Sequence, residues 1–248
     1  MDLTIVIPAR DEEENILETL AQLTARVKAP HRIIVVNDHS SDKTADCVRE
    51  FARIHPNVSL IDNSGLPGFS NAVKTGFNAV KSGAIVTVMA DHCDKPETID
   101  AMFSKIQEGY DVVCGSRYMP GGEKLGGRFL QSLFSRFVGK SLRLLARIPT
   151  HDVSNAFKMY RKEVLDVVTI KEKGFAMSME IVVNALFLGF KIAEVPTSWK
   201  DRTAGKSHFR IFRVGRHYLR LYLLALFLMM KSMLIKSGRN KGQGHNGH

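Results

Sequence analysis

The chain has 248 residues, 44% of them hydrophobic, which suits one large α/β domain or one domain with an appendage. Lysine and arginine number 35 against 25 acids, and the net charge of +10 favours an anionic partner: nucleic acid, anionic lipid or a phosphorylated small molecule. The three cysteines, Cys47, Cys93 and Cys114, are odd in number and far apart, which argues against a disulfide framework and for a reducing compartment.

The chain opens on Met-Asp and a strand-like run, with neither the basic nor the apolar region of a signal peptide, so a cytoplasmic location is expected. "LTIVI" (Leu3–Ile7) is the first predicted strand. A helix follows Asp11, with Glu14 three residues on as in a capping box and Ile16, Leu17, Leu20 and Leu23 on one face. "RIIVV" (Arg32–Val36), "VSLI" (Val58–Ile61) and "AIVTVM" (Ala84–Met89) are further short runs rich in β-branched residues, as in strands covered on both faces. After Pro96, residues Ile99, Met102, Phe103 and Ile106 keep helical spacing until Gly109. "DVVCG" (Asp111–Gly115) is one more strand. This alternation predicts a doubly wound, mostly parallel sheet with helices on both faces, whose ligand binds beyond the C-terminal strand ends.

Those ends are polar. The first strand runs into "PARDEEEN", the second into "NDHSSDKT", the fourth into "ADHCD" and the fifth into "GSRYMPGG". No GxGxxG follows any strand, which disfavours a dinucleotide-binding dehydrogenase. The acids suggest a site for base, ribose and a hard cation. A zinc site at "DHCD" is disfavoured: four adjacent residues cannot converge on one tetrahedral ion, and no Cys or His pair stands at finger spacing.

The second half differs. Residues 128–148 form a long amphipathic pattern, with Arg136, Lys140, Arg143 and Arg147 as a basic stripe and Leu130, Leu133, Phe134, Phe137, Leu144 and Leu145 largely opposite. Leu221–Met230 is uninterrupted and apolar, preceded by Arg213, Arg216 and Arg220 and followed by Lys231 and Lys236. This run falls well short of the ~20 residues that span a bilayer, so attachment at a membrane surface is expected. Nucleic-acid binding is disfavoured, because the aromatics are few and not interleaved with the basic runs. The polar, Gly-rich tail "SGRNKGQGHNGH" predicts disorder.

The ordered pieces "VIPARDEEENI", "VVNDHSSDKT", "GFSNAVKTGF", "MADHCDKPE", "VVCGSRYMPGG", "SNAFKMYRKEVL", "SMEIVVNALFLGFKIAEVP" and "DRTAGKSHF" together make a specific signal. On them the chain resembles the family 2 glycosyltransferases, and among these the dolichyl- or polyprenyl-phosphate mannosyltransferase group. The resemblance implies a GT-A type fold over residues 1–210, an amphipathic interfacial helix over 211–236 and a polar tail over 237–248. It implies inverting transfer of a sugar, by default mannose from GDP-mannose, to a polyprenyl or dolichyl phosphate, in the manner of cell envelope glycan biosynthesis. The alternatives are a UDP-sugar donor with another acceptor, or a GT-A subunit with weak turnover.

By the same resemblance, Pro8, Ala9, Arg10, Glu12 and Asp38 line the donor nucleotide. Asp91 falls on the second acid of the family's Asp-x-Asp element and holds Mg²⁺ or Mn²⁺, with Cys93 and Asp94 as further candidates. Met89 stands where the family usually has its first Asp. Arg117 and Arg202 match phosphate-binding positions and join Asp91 as the catalytic set. Arg128, Ser154, Asn155, Glu180, Lys206 and His208 fall on the acceptor and phosphate side, His208 where relatives often carry lysine. The implied partners are a nucleotide-sugar, a polyprenyl phosphate, a membrane surface and a membrane subunit. An acceptor phosphate monoester, with a second pKa of about 6, is already anionic at neutral pH, so no protein base is required.

Overall fold

The computed structural model describes residues 1–126, 129–200 and 211–243. Seven strands form the central sheet: β1 (Leu3–Ala9), β2 (His31–Asn37), β3 (Val58–Asp62), β4 (Ala84–Thr87), β5 (Val112–Ser116), β7 (Lys158–Arg161) and β8 (Ile192–Pro196). Their order is β3-β2-β1-β4-β7-β5-β8. All are parallel except β7, which runs antiparallel between β4 and β5. A parallel ribbon of β6 (Glu123–Leu125) and β9 (Ser198–Lys200) stands apart from the sheet.

The period-2 rule divides each strand between two cores. On β1, Leu3, Ile5, Ile7 and Ala9 face one layer, built with α1 (Ile16–Arg26), α2 (Thr44–Ile54) and α4 (Thr98–Gln107). Val6 faces the other, with α3 (Phe69–Ala79), α5 (Phe129–Leu145), α7 (Ala176–Phe187) and α8 (Ile211–Gln243); the short α6 (Lys162–Val167) also packs there through Val164. The sheet buried on both faces explains why its strands are nearly continuous in Val and Ile. Close approach is met by glycine: a Cβ on Gly139 of α5 would stand 2.2 Å from the His151 carbonyl oxygen.

Four local expectations are corrected. The capping box at Asp11 does not form: Asn15 precedes α1 without a side-chain cap, and Asp11 adopts φ 52°. Its carboxylate instead accepts the Ser41 N–H at 2.7 Å. The fourth strand ends at Thr87, two residues early. In α5 the apolar residues expected opposite the basic stripe lie beside it, and a third face packs on the core. Val138, Leu142 and Ala146 are buried, whereas Leu133, Phe134, Phe137, Leu144 and Leu145 are exposed alongside the basic stripe. Finally, helix continues through residues 237–243 of the tail expected to be disordered.

α8 is split lengthwise. Tyr218, Leu221 and Ala225 face the core at helical spacing, and Leu219, Leu223, Phe227 and Met230 face outward. His217 and Arg220 tie the helix to buried Glu172, at 2.5 and 3.7 Å. Among the described residues no helix is long and apolar enough to cross a membrane.

Candidate active site at the C-terminal edge of the sheet

Because β7 is antiparallel, its N-terminal end meets the C-terminal ends of β1, β2, β4 and β5 on one rim. This brings together residues 8–12, 38, 91–94, 117 and 152–155.

The first two loops are laced to each other. The N–H groups of Glu12 and Glu13 donate to Thr44 Oγ1 and Asp42 Oδ2, at 2.8 and 3.0 Å, and the Lys43 N–H donates to Glu13 Oε2 at 2.9 Å. Pro8 and Ala9 are buried at the end of β1, Arg10 is exposed, and Glu12 accepts from Asn15 Nδ2 at 2.7 Å. Asp38 is buried and accepts from Asn63 Nδ2 at 2.7 Å and from the Gly68 N–H at 2.8 Å. Its carboxylate therefore fixes the loop that leads into α3. Asn63 lies 25 residues away, and no local pattern announced it.

The third loop carries the acids. Asp91 is buried, and its Oδ1 accepts the Cys93 N–H at 3.3 Å. His92 adopts φ 59°, and its Nδ1 lies 3.1 Å from the Thr19 hydroxyl. The Cys93 thiol is buried and turned to the Asp91 carbonyl at 3.7 Å. Asp94 is also buried, and its Oδ2 has no hydrogen-bond partner among the described residues. Burial and the neighbouring Asp91 charge push the Asp94 carboxyl up to about 7, opposed by the Met89 backbone N–H and the Arg117 charge. A backbone bridge from Asp94 to Trp199 and the bond from the Lys200 N–H to the Cys93 carbonyl, 3.2 Å, set the β6–β9 ribbon against this loop.

Arg117, just past β5, donates Nε and Nη2 to the two oxygens of Asp152 at 2.6 and 2.9 Å. Burial opposes both charges, but each group holds the other ionised: Asp152 stays below its ordinary range and Arg117 above its own. The pair commits two of the five guanidinium N–H donors, so both hydrogens of Nη1 and the second of Nη2 remain to meet a ligand. Ser154 donates to Asp152 Oδ1 at 3.2 Å, and Asn155 Nδ2 donates to the Gly115 carbonyl at 2.9 Å. Both shape the loop that presents Asp152. Behind it, fully buried Lys158 donates to the Val153 and Asn155 carbonyls and to Ser178 Oγ. Burial draws the Lys158 ammonium down to about 8.

Asp152 and Lys158 were missed by sequence reasoning, for their partners lie far along the chain or in the backbone. Glu180, expected on the acceptor side, has its described bonds to backbone. It is buried on α7, and its Oε2 accepts the Lys171 and Glu172 N–H groups at 2.9 and 2.8 Å. It thereby holds the segment that anchors α8. Arg128, Arg202, Lys206 and His208 lie outside the described residues.

An α/β domain with acids and one constrained guanidinium on its C-terminal rim is of the class that suits a phosphorylated ligand. The chain belongs to glycosyl transferase family 2, whose model matches residues 4–169. It is 31% identical over 228 residues to a dolichol-phosphate mannosyltransferase of Pyrococcus furiosus, across 89% of this chain and 64% of that one. A polyprenol monophosphomannose synthase of Mycolicibacterium smegmatis is 28% identical over 210 residues, across 82% and 79%. The chain thus spans just under two thirds of the length of the first of these relatives. In three dimensions it resembles glucosyl-3-phosphoglycerate synthase from Mycobacterium tuberculosis, crystallised with Mn²⁺, uridine diphosphate and phosphoglyceric acid. The TM-score is 0.66 at 14% identity, over 92% of this chain and 78% of that one. The fold is of the GT-A type.

Proposed function

We propose that the chain transfers a sugar from a nucleotide-sugar to a polyprenyl phosphate at a membrane surface, with mannose from GDP-mannose as the default donor. The observation that carries this reading is the similarity to the Pyrococcus furiosus enzyme across 89% of the chain. An acceptor phosphate oxygen attacks the anomeric carbon, the bond from that carbon to the donor diphosphate breaks, and the nucleoside diphosphate leaves with the electron pair. The attacking oxygen is already anionic, so no proton has to be removed by the protein.

The side chains fit a hard divalent cation, Mg²⁺ or Mn²⁺. Asp91 is a carboxylate on the rim, and Asp94 Oδ2 is a buried acceptor with no described partner. The Cys93 thiol is soft and turned to a carbonyl, which fits such an ion poorly. Among the described residues no three His, Cys, Asp or Glu side chains converge. Among the described residues the protein thus supplies Asp91 and Asp94, and donor phosphates and water complete the shell. Bound there, the cation would neutralise charge developing on the diphosphate. Arg117 contributes through the N–H groups not taken by Asp152, which holds the guanidinium in direction. Pro8, Ala9, Arg10, Glu12 and Asp38 border the donor nucleotide, Ser154 and Asn155 the acceptor side, and Arg128, Arg202, Lys206 and His208 are assigned by the resemblance.

The lipid side is proposed for α5 and α8, which pack on each other and expose apolar residues beside Arg136, Lys140 and Arg143. Such a surface suits peripheral attachment to an anionic leaflet, directly or beside a membrane subunit. A second reading, a GT-A subunit with weak turnover, is favoured by Met89 alone. The test is a donor panel of GDP- and UDP-sugars with short polyprenyl phosphates in detergent, with Mg²⁺ or Mn²⁺. Transfer from at least one donor is expected. Donor binding without transfer from any of them would favour the weak subunit.

A further inference from the structure

We propose that Asp94 supplies the carboxylate that residue 89 lacks, so that the cation is held by Asp91 and Asp94 rather than by acids two residues apart. This rests on the glycosyltransferase reading and deepens it. A methionine thioether is a soft ligand and cannot substitute for a carboxylate toward Mg²⁺ or Mn²⁺. With Met89 the loop would offer a single acid unless another residue moved in.

Three observations place Asp94 there. Its carboxyl lies close enough to the Met89 backbone N–H and to Asp91 to feel both. Its Oδ2 is shut away from solvent yet accepts no hydrogen bond from the described residues, and a buried acceptor left unpaired is costly unless something completes it. Its backbone is pinned, by the bridge to Trp199 and by the Lys200–Cys93 bond next to it. Arg117 reaches Asp94 through its charge alone, for its described side-chain hydrogen bonds go to Asp152. Two buried carboxylates three residues apart on one pinned loop, one of them with an oxygen unpartnered among the described residues, suit a divalent ion. The bland alternative is a proton trapped between them.

Trp199 makes the inference testable, since it is the chain's one tryptophan and is bridged to Asp94. Mn²⁺ is paramagnetic and should quench its fluorescence on binding. Mn²⁺ would be titrated into the full chain, with bound ion counted by electron paramagnetic resonance, for the parent, Asp94→Asn and the double variant Met89→Asp/Asp94→Asn. Loss of a carboxylate ligand should weaken Mn²⁺ binding by about tenfold or more. The Asp94→Asn variant should lose the quenching, and adding Met89→Asp should recover most of the affinity. Circular dichroism establishes that each variant is folded. A smaller loss in folded Asp94→Asn overturns the proposal, as does a folded double variant that recovers nothing. Nucleoside diphosphate binding is measured in parallel. If the parent binds neither GDP nor UDP with Mn²⁺, the glycosyltransferase reading itself fails. If the parent binds one and Asp94→Asn binds it and Mn²⁺ equally well, this inference alone fails.

Discussion

Arg117 and Asp152 lie 35 residues apart in the chain and are joined by two side-chain hydrogen bonds, at 2.6 and 2.9 Å. Asp152 also accepts the Arg117 backbone N–H at 3.2 Å. The Arg117 side chain is 11% exposed and Asp152 is wholly buried, so neither charge has water to fall back on.

Removing one partner of a buried ion pair leaves the other uncompensated, at a cost of about 3–5 kcal/mol. Asp152→Asn should therefore lower stability by that amount near neutral pH, read by urea denaturation. The pH dependence has a definite sign. The folded-state pKa of Asp152 is depressed below its ordinary 3.8, so its contribution is fully present above that value. It is lost as pH falls through the folded value. The gap between parent and variant should be flat from pH 7 to about 4 and close below it. A gap that widened on acidification would show that the pair is not formed.

The folded frame was legible because period-2 apolar runs and polar strand ends are local signals, and β1, β2, β4 and β5 announce themselves within a few residues. Of the candidate site, only positions at strand ends were legible: Asp91 and Arg117 do lie on the rim where their motifs predicted. Asp152, Lys158 and Asn63 were not, because each is defined by a partner brought near by the fold. The core face of α5 was not legible for a related reason. Leu133, Phe134 and Phe137 are larger than Val138 and Ala146, yet α5 comes within reach of the His151 carbonyl at Gly139, and that face must be small. Helical spacing identifies a stripe but not which neighbour covers it.

That close approach gives a second prediction. Gly139→Ala places a methyl where the His151 carbonyl stands, 2.2 Å away, so α5 or the 151–152 loop must shift. Overpacking of this kind costs about 1–3 kcal/mol. A lowered denaturation midpoint is expected, with weaker acceptor use than donor binding because the loop carries Asp152. Unchanged stability would mean that the helix slides freely at this contact.

Asp91→Ala should abolish transfer and metal-enhanced donor binding while leaving the fold intact. Asp91 is buried at the rim rather than within either apolar layer, so its loss opens no cavity in the hydrophobic core. Far-ultraviolet circular dichroism with a transfer assay checks both halves of the statement. Activity within a few-fold of the parent would remove Asp91 from the metal site.

The lipid-facing surface yields the last prediction, and the structure decides how it must be tested. Deleting residues 211–248 would remove Tyr218, Leu221 and Ala225 from the core and the His217–Glu172 contact with them, so a loss of activity would not isolate the membrane. Substitutions on the outward face avoid this. Phe137, Leu144, Leu223 and Phe227 are 65%, 79%, 57% and 61% exposed, and replacing them by serine takes nothing from either core. Burying one such side chain fully in an apolar phase is worth about 1.5–3 kcal/mol, and basic residues near an anionic leaflet add about 1 kcal/mol each, screened by salt. The parent should co-sediment with vesicles rich in phosphatidylserine more than with phosphatidylcholine, and high salt should weaken this. The fourfold serine variant should bind poorly at any salt concentration, keep its thermal midpoint and donor hydrolysis, and lose transfer to lipid acceptors in vesicles while keeping it to short acceptors in detergent. Vesicle binding equal to the parent's would assign the exposed face to a protein partner instead, because an apolar ridge that lipid ignores still has to be covered.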